Sequence, residues 1–260
     1  MRWKREILFQ IRIGNIVREF RSLFWLFWKQ TECGKWCVYS GMYGLGLWLL
    51  YGERIHGRTF EEIVSQYFFG YTGSLIYMAA YVILAMLPVI ATIFFLKRGI
   101  CEEYYYSRVT NTSSVVLAKT AVIAILVASI EGSQLLSLLT VLFANNKIYL
   151  NASTAKFFFK IMMRLTIPRI SLSLLLYLWI KLLLDPVIFC SVVVLLVTLE
   201  PICRHCCRVF YFSSLDISQL ERGALLRNIM LIFLIVVLII ILDRSANIIS
   251  EGDLEKNGSG

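Results

Sequence analysis

The chain has 260 residues, is 58% hydrophobic and 17% charged, and carries a formal net charge of +9 with a pI near 9.3. Its mean hydropathy of +0.72 excludes an ordinary soluble domain, in which roughly 25% of residues are charged. The positive balance reads as topology rather than as a nucleic-acid footprint, because basic residues collect on the cytoplasmic side of membrane proteins and meet anionic headgroups there.

Residues 1–35 form the first unit. Arg5, Arg12, Arg18, Arg21 and Lys29 are interleaved with Leu8, Ile11, Phe20, Phe24, Phe27 and Trp28 at near-helical spacing. Trp3, Trp25, Trp28 and Trp36 add amphipathic anchors. That pattern predicts a helix lying in the headgroup plane with its apolar face down. No cleavable signal peptide is expected, since the segment is basic throughout and offers no small-residue cleavage site.

The first span is expected over 36–51, where Ser40, Gly41 and Gly44 allow another helix backbone to approach closely. A polar loop, 52–66, leads to a second span over 67–96, which contains Pro88 and no Lys, Arg, Asp or Glu. Lys97 and Arg98 stop it, a cytoplasmic signature. A third span covers 120–143 and a loop is expected over 144–169. Two short apolar runs follow, 170–184 and 187–199, separated by Asp185-Pro186. Pro disfavours helix continuation and Asp favours turns, so they read as a hairpin, with a single kinked span as the alternative. The run 228–242, NIMLIFLIVVLIIIL, is the last span, and the acidic tail after it is expected to be disordered.

The expected fold is therefore all-α: a polytopic membrane protein of about six transmembrane helices with an N-terminal interfacial amphipathic helix. Residues 1–260 make a single membrane domain, with 1–35 interfacial, 36–242 the bundle and 243–260 a cytoplasmic tail. Eight Lys or Arg precede the first span, against two in 52–66 and four in 97–119, which places the N-terminus in the cytoplasm. The five basic residues of 144–169 conflict with the outside position that six spans give that loop. The first helices usually dominate orientation, so the assignment stands.

Chemistry has little material. There is no G-x-x-x-x-G-K-[ST] phosphate loop, no H-E-x-x-H and no G-x-S-x-G elbow, and only two histidines, His56 and His205. The chain is not expected to be an enzyme. Seven cysteines without a repeating framework argue against a disulfide scaffold. Cys203, His205, Cys206 and Cys207 cluster but lack a second C-x2-C pair, so they read as small residues at a membrane interface and no metal site is expected.

Glu131 is the one ionisable residue deep in a strong span, where a carboxylate normally faces protein or water. Ser129, Ser133, Ser137 and Thr140 fall within an arc of about 80° on the same helix. Gln134 and Glu131 are read as widening that polar side. The set either lines a substrate path or forms a small-residue seam against a neighbouring helix, and small residues at i, i+4, i+8 favour the seam. A seam would tolerate leucine at 131. Lys181 and Asp185, four apart, are expected to snorkel or to pair locally.

The segment 97–119, KRGICEEYYYSRVTNTSSVVLAK, is the least membrane-like piece between two strong spans. Glu102-Glu103, then Ser107-Arg108, then Ala118-Lys119 resemble the cytoplasmic loop between spans two and three in permease subunits of ABC exporters of the ABC-2 class. Tyr104-Tyr105-Tyr106-Ser107-Arg108 is similar in particular to small permeases of Gram-positive peptide and bacteriocin transporters, where an aromatic run precedes such an Arg. The stretch 111–114 departs from that pattern, which has another basic or aromatic residue there.

The resemblance implies a permease in the plasma membrane that exports a peptide, bacteriocin or other amphipathic substrate. It carries no cofactor itself. ATP and Mg are expected on a separate ABC ATPase, and a second permease copy or paralogue completes the assembly. Arg98, Glu102, Glu103, Tyr104, Tyr105, Tyr106, Arg108 and Lys119 are then the ATPase-coupling residues. Physically, both charge signs and several tyrosines suit docking into a cleft. The alternative for these residues is a solvated loop with tyrosines at the headgroups. The alternative for the chain is an immunity or sensor protein that binds a peptide in the bilayer without transporting it.

Overall fold

The computed structural model describes residues 2–51, 75–98, 112–144, 152–182, 184–199 and 222–257. These form seven helices: α1 (Arg2–Gln30), α2 (Cys33–Tyr51), α3 (Leu75–Arg98), α4 (Thr112–Ala144), α5 (Ala152–Lys181), α6 (Pro186–Leu199) and α7 (Arg222–Asn257). No strand occurs among the described residues. Three stretches are long and apolar enough to cross a membrane, Ser113–Ala144, Ala155–Lys181 and Leu226–Ser245, and Met86–Lys97 and Pro186–Leu195 are shorter apolar helices. Large apolar side chains point outward, among them Leu49 at 83% and Phe233 at 73% exposure. In water that arrangement would be a liability; facing lipid it costs nothing. The chain is a helical membrane protein.

Local chemistry explains the breaks. Between α1 and α2, Glu32 adopts φ 48°, and the Thr31 hydroxyl oxygen accepts the Cys33 N–H at 3.2 Å, capping α2. Between α5 and α6, the Asp185 carboxylate accepts the Val187 N–H at 2.8 Å and Pro186 takes the first helical position, where a missing N–H is harmless. Trp179 donates its indole N–H to the Asp185 carbonyl at 3.0 Å and packs against Phe189 with centroids 5.7 Å apart. The chain doubles back here, as the Asp-Pro pair predicts. At Pro88 the helix continues, with the Thr92 hydroxyl donating to the Pro88 carbonyl at 2.8 Å.

Helix α4 is the central post. Val122, Ile123, Leu126, Val127 and Ile130 are fully buried in a core shared with α1, α3, α5 and α7. A second core joins α2, α4 and α5 through Leu47, Trp48, Leu138, Leu142 and Phe157. A third joins α3, α5 and α6 through Met86, Val89, Leu172, Leu176 and Phe189.

The contacts also give directions. Helix α2 runs with α4, since Ser133 reaches Cys37 and Leu138 and Leu142 share a core with Leu47 and Trp48. Helix α5 runs against α4, and α7 runs with α5, because Ser171 meets Asn228 and Lys181 meets Asp243. The C-terminal end of α3 and the first turns of α4 meet at Phe27, and α6 runs back along α3. From α2 to α7 the direction therefore alternates, which leaves α1 and the far end of α7 at the same end of the bundle. Cysteines introduced singly at Ser22 and at Ser245 in an otherwise cysteine-free chain should therefore respond alike to impermeant maleimide in intact cells, both labelled or both protected until permeabilisation. Labelling of one and not the other would overturn this arrangement.

Three expectations are revised. The loop expected over 144–169 is helical from Ala152; Lys156, Lys160 and Arg164 made helix look like loop. The tail is helical to Asn257 rather than disordered from 243. The apolar face of the second half of α1 lies on the bundle, with Leu23 and Phe27 buried and Phe20, Phe24 and Trp28 packed against the core, while Trp25 stays exposed. The expected stretch 67–74 of the second span lies outside the described residues.

Candidate functional site

Near the middle of two membrane-length helices, Arg169 of α5 forms an ion pair with Glu131 of α4, and their side chains are 3% and 0% exposed. Neither end of either helix is close enough for these groups to reach water by snorkelling: Arg169 is twelve residues, roughly 18 Å, from Lys181. Pro168 lies beside the arginine inside the helix and lacks the N–H that would bond the carbonyl one turn back.

Polar side chains surround the pair. Thr166 and Ser173 lie three residues before and four after Arg169 and are buried, as is Gln134, one turn from Glu131. The Gln134 amide, the Thr166 hydroxyl and the Ser173 hydroxyl have no hydrogen-bond partner among the described residues. A polar group kept dry and unpaired costs about 1–3 kcal/mol, so these side chains lower the stability of the interior.

The α4 polar residues do not form one surface. Residues 131 and 133 are about 160° apart on a helix, and the structure turns Glu131 to α5 and Ser133 to α2. Ser133 donates to the Cys37 carbonyl, Ser40 donates to the Ile130 carbonyl at 2.9 Å, and Ser129 lies beside the Cys33 thiol. Gly41 suits this close crossing, since a Cβ there would meet the Ser133 hydroxyl at 3.1 Å and push it aside by a few tenths of an ångström. Ser137 and Thr140 bond carbonyls of their own helix, those of Gln134 and Leu136, both at 2.8 Å. So Ser129 and Ser133 belong to a close α2–α4 seam, and Glu131 and Gln134 belong to a separate charged interior.

No known protein family, curated protein or solved structure matches the chain.

The coupling residues divide. Glu102, Glu103, Tyr104, Tyr105, Tyr106 and Arg108 lie outside the described residues, as do Cys203, His205, Cys206 and Cys207. Arg98 closes α3. Lys119 is 3% exposed, with its ammonium 5.3 Å from the centroid of the Phe27 ring. Among the described residues no three His, Cys, Asp or Glu side chains converge as metal ligands. Lys181 pairs not with Asp185 but with Asp243 of α7, at 3.1 Å; Asp185 instead caps α6.

Sequence reasoning missed two residues. Arg169 was hidden because the basic run before it suggested a loop, although Thr166, Arg169 and Ser173 on one helical stripe within apolar surroundings is a legible signal. Phe27 had no signal beyond its place in an amphipathic pattern. Gln134→Met, which removes an unpaired amide at similar volume, should raise the melting temperature in detergent by a few degrees, as about 1–2 kcal/mol in a chain of this size implies. A destabilised Gln134→Met variant would mean that the amide is bonded in the native membrane.

Proposed function

We propose that the chain is the permease subunit of an ATP-driven exporter of the ABC-2 class. It crosses the plasma membrane six times with its N-terminus in the cytoplasm, beside a second permease copy and a separate ATPase that binds ATP and Mg. The substrate class is a peptide, bacteriocin or other amphipathic molecule, on the resemblance of segment 97–119.

The observation that carries this reading is the way Phe27 joins the two helix ends that bracket residues 99–111. Its ring meets Phe95 at the end of α3, centroids 6.4 Å apart, and Lys119 at the start of α4. A partner gripping 99–111 would load both helices together, because α1 holds their ends as one body. From Lys119, α4 leads directly to Glu131 and its partner on α5, beside the buried Gln134, Thr166 and Ser173. That supports a route for motion from a docked ATPase to the middle of the membrane.

The test is the doubly substituted Arg108→Ala/Tyr105→Ala chain. Truncating interface anchors commonly costs about 2 kcal/mol or more, roughly thirtyfold in affinity, whereas residues of a solvated loop cost well under ~1 kcal/mol. The ATPase should be lost from pull-downs while the chain still inserts and folds. Retention of the partner with full transport would overturn the proposal. The non-transporting immunity or sensor reading is favoured by the sealed state of the Glu131–Arg169 pair, and it expects no ATPase to copurify at all.

A further inference from the structure

A groove of about 620 Å³ runs between the C-terminal end of α3 and the first half of α6, lined by Ile93, Lys97, Val187, Cys190, Val194 and Leu195 among others. Its floor belongs to the third core, where Phe189 and Val193 pack on Met86 and Val89. It opens on the outer face of the bundle, where Val187, Ile188, Val192 and Leu195 are exposed. The volume lies within the ~300–1,000 Å³ typical of sites for small organic molecules.

Three features together identify what fits. The lining is apolar apart from Lys97 and the Ser191 hydroxyl, and that hydroxyl is occupied by the Val187 carbonyl at 2.9 Å. From Val187 to Leu195 the groove follows about 12 Å of helix, against about 15 Å for one leaflet of a ~30 Å hydrocarbon core. The single cation sits at one end, at the foot of α3, where an apolar helix stops and headgroups begin. Asp185, beside the Pro186 that lines the groove, accepts the Val187 N–H. The Lys181–Asp243 pair at the same end is internally neutral.

We infer that this groove is a binding site for an anionic phospholipid, with one acyl chain along α6 and the phosphate on the Lys97 ammonium. A second copy of this chain is a poorer occupant, because the groove ends on a cation, Lys97, that a like surface would repel. The orientation of the chain agrees: basic residues put the Lys97 end at the cytoplasmic leaflet, which is where anionic lipid is concentrated. The inference does not depend on transport or on an ATPase.

Native mass spectrometry of the full chain, released from membranes containing phosphatidylglycerol and phosphatidylcholine in equal amounts, tests it. One phosphatidylglycerol should be retained preferentially. Lys97→Gln should lower that preference about fivefold, the effect of one basic residue near an anionic surface. Ser191→Trp, which fills the groove from its exposed rim, should abolish retention of either lipid. Leu136→Trp, on a lipid-facing site of α4, is the control and should change neither. Equal retention of both lipids, or retention unchanged in Lys97→Gln and Ser191→Trp, overturns the inference. So does a dimer that Ser191→Trp dissociates, which would assign the groove to a second copy. Melting curves of each variant distinguish loss of the site from loss of fold.

Discussion

Replacing Glu131 with leucine should cost the bundle about 3–5 kcal/mol, because it leaves a guanidinium buried without its counter-charge. Arg169→Leu should cost less. A stranded carboxylate can take up a proton and become neutral, whereas arginine stays charged in any protein environment. The double variant Glu131→Leu/Arg169→Leu should recover most of the loss, since apolar residues packed in place of a buried ion pair are often as stable or more so. Melting temperatures of the four proteins in detergent give the coupling directly, as a double-mutant cycle. If Glu131→Leu alone melts at the wild-type temperature, the pair is not formed. If the double variant is stable but inactive, the charges serve motion rather than folding.

That experiment also separates two readings of Glu131 that the sequence leaves open. A small-residue seam tolerates leucine, and the serines near Glu131 do form a seam, but on the other side of α4. Periodicity places 129 and 133 together correctly, and Ser40 and Gly41 mark the close approach of α2. What a one-dimensional pattern cannot supply is the partner of a charge. Glu131 is thirty-eight positions from Arg169, and the helix that carries Arg169 begins in residues too basic to resemble a span. Likewise, Lys181 pairs with a residue sixty-two positions away, although a carboxylate stands four positions from it. The helix breaks were more legible, because caps and turns are local chemistry: Asp185-Pro186 terminates and restarts the chain where it stands in the sequence. The amphipathic N-terminal helix was legible as a helix but not as to what covers its apolar face, because protein and lipid reward the same residues.

Phe27→Ala should be the most damaging single change in α1. The ring is 2% exposed and lies between Phe95 and Lys119, so truncation opens a cavity at the junction of three helices. Phe→Ala changes in protein cores cost about 3–5 kcal/mol, and the Lys119 contact adds roughly 0.5–2 kcal/mol where a cation on a ring is desolvated. Phe27→Leu keeps most of the apolar volume and gives up the ring, so it should lose only the smaller amount. The two variants should then part in a second measurement. Limited proteolysis should release α1 from Phe27→Ala but not from Phe27→Leu, while the Glu131–Arg169 region, some distance along α4, stays protected in both. If residues 99–111 act as a lever, ATP-driven transport should fail in Phe27→Ala even where an ATPase still copurifies, because the two helix ends no longer move as one. An Ala variant that keeps α1 protected would place the aromatic face of α1 in lipid instead of on the bundle. One that sheds α1 and still transports would leave α1 as an anchor and remove the lever from the mechanism.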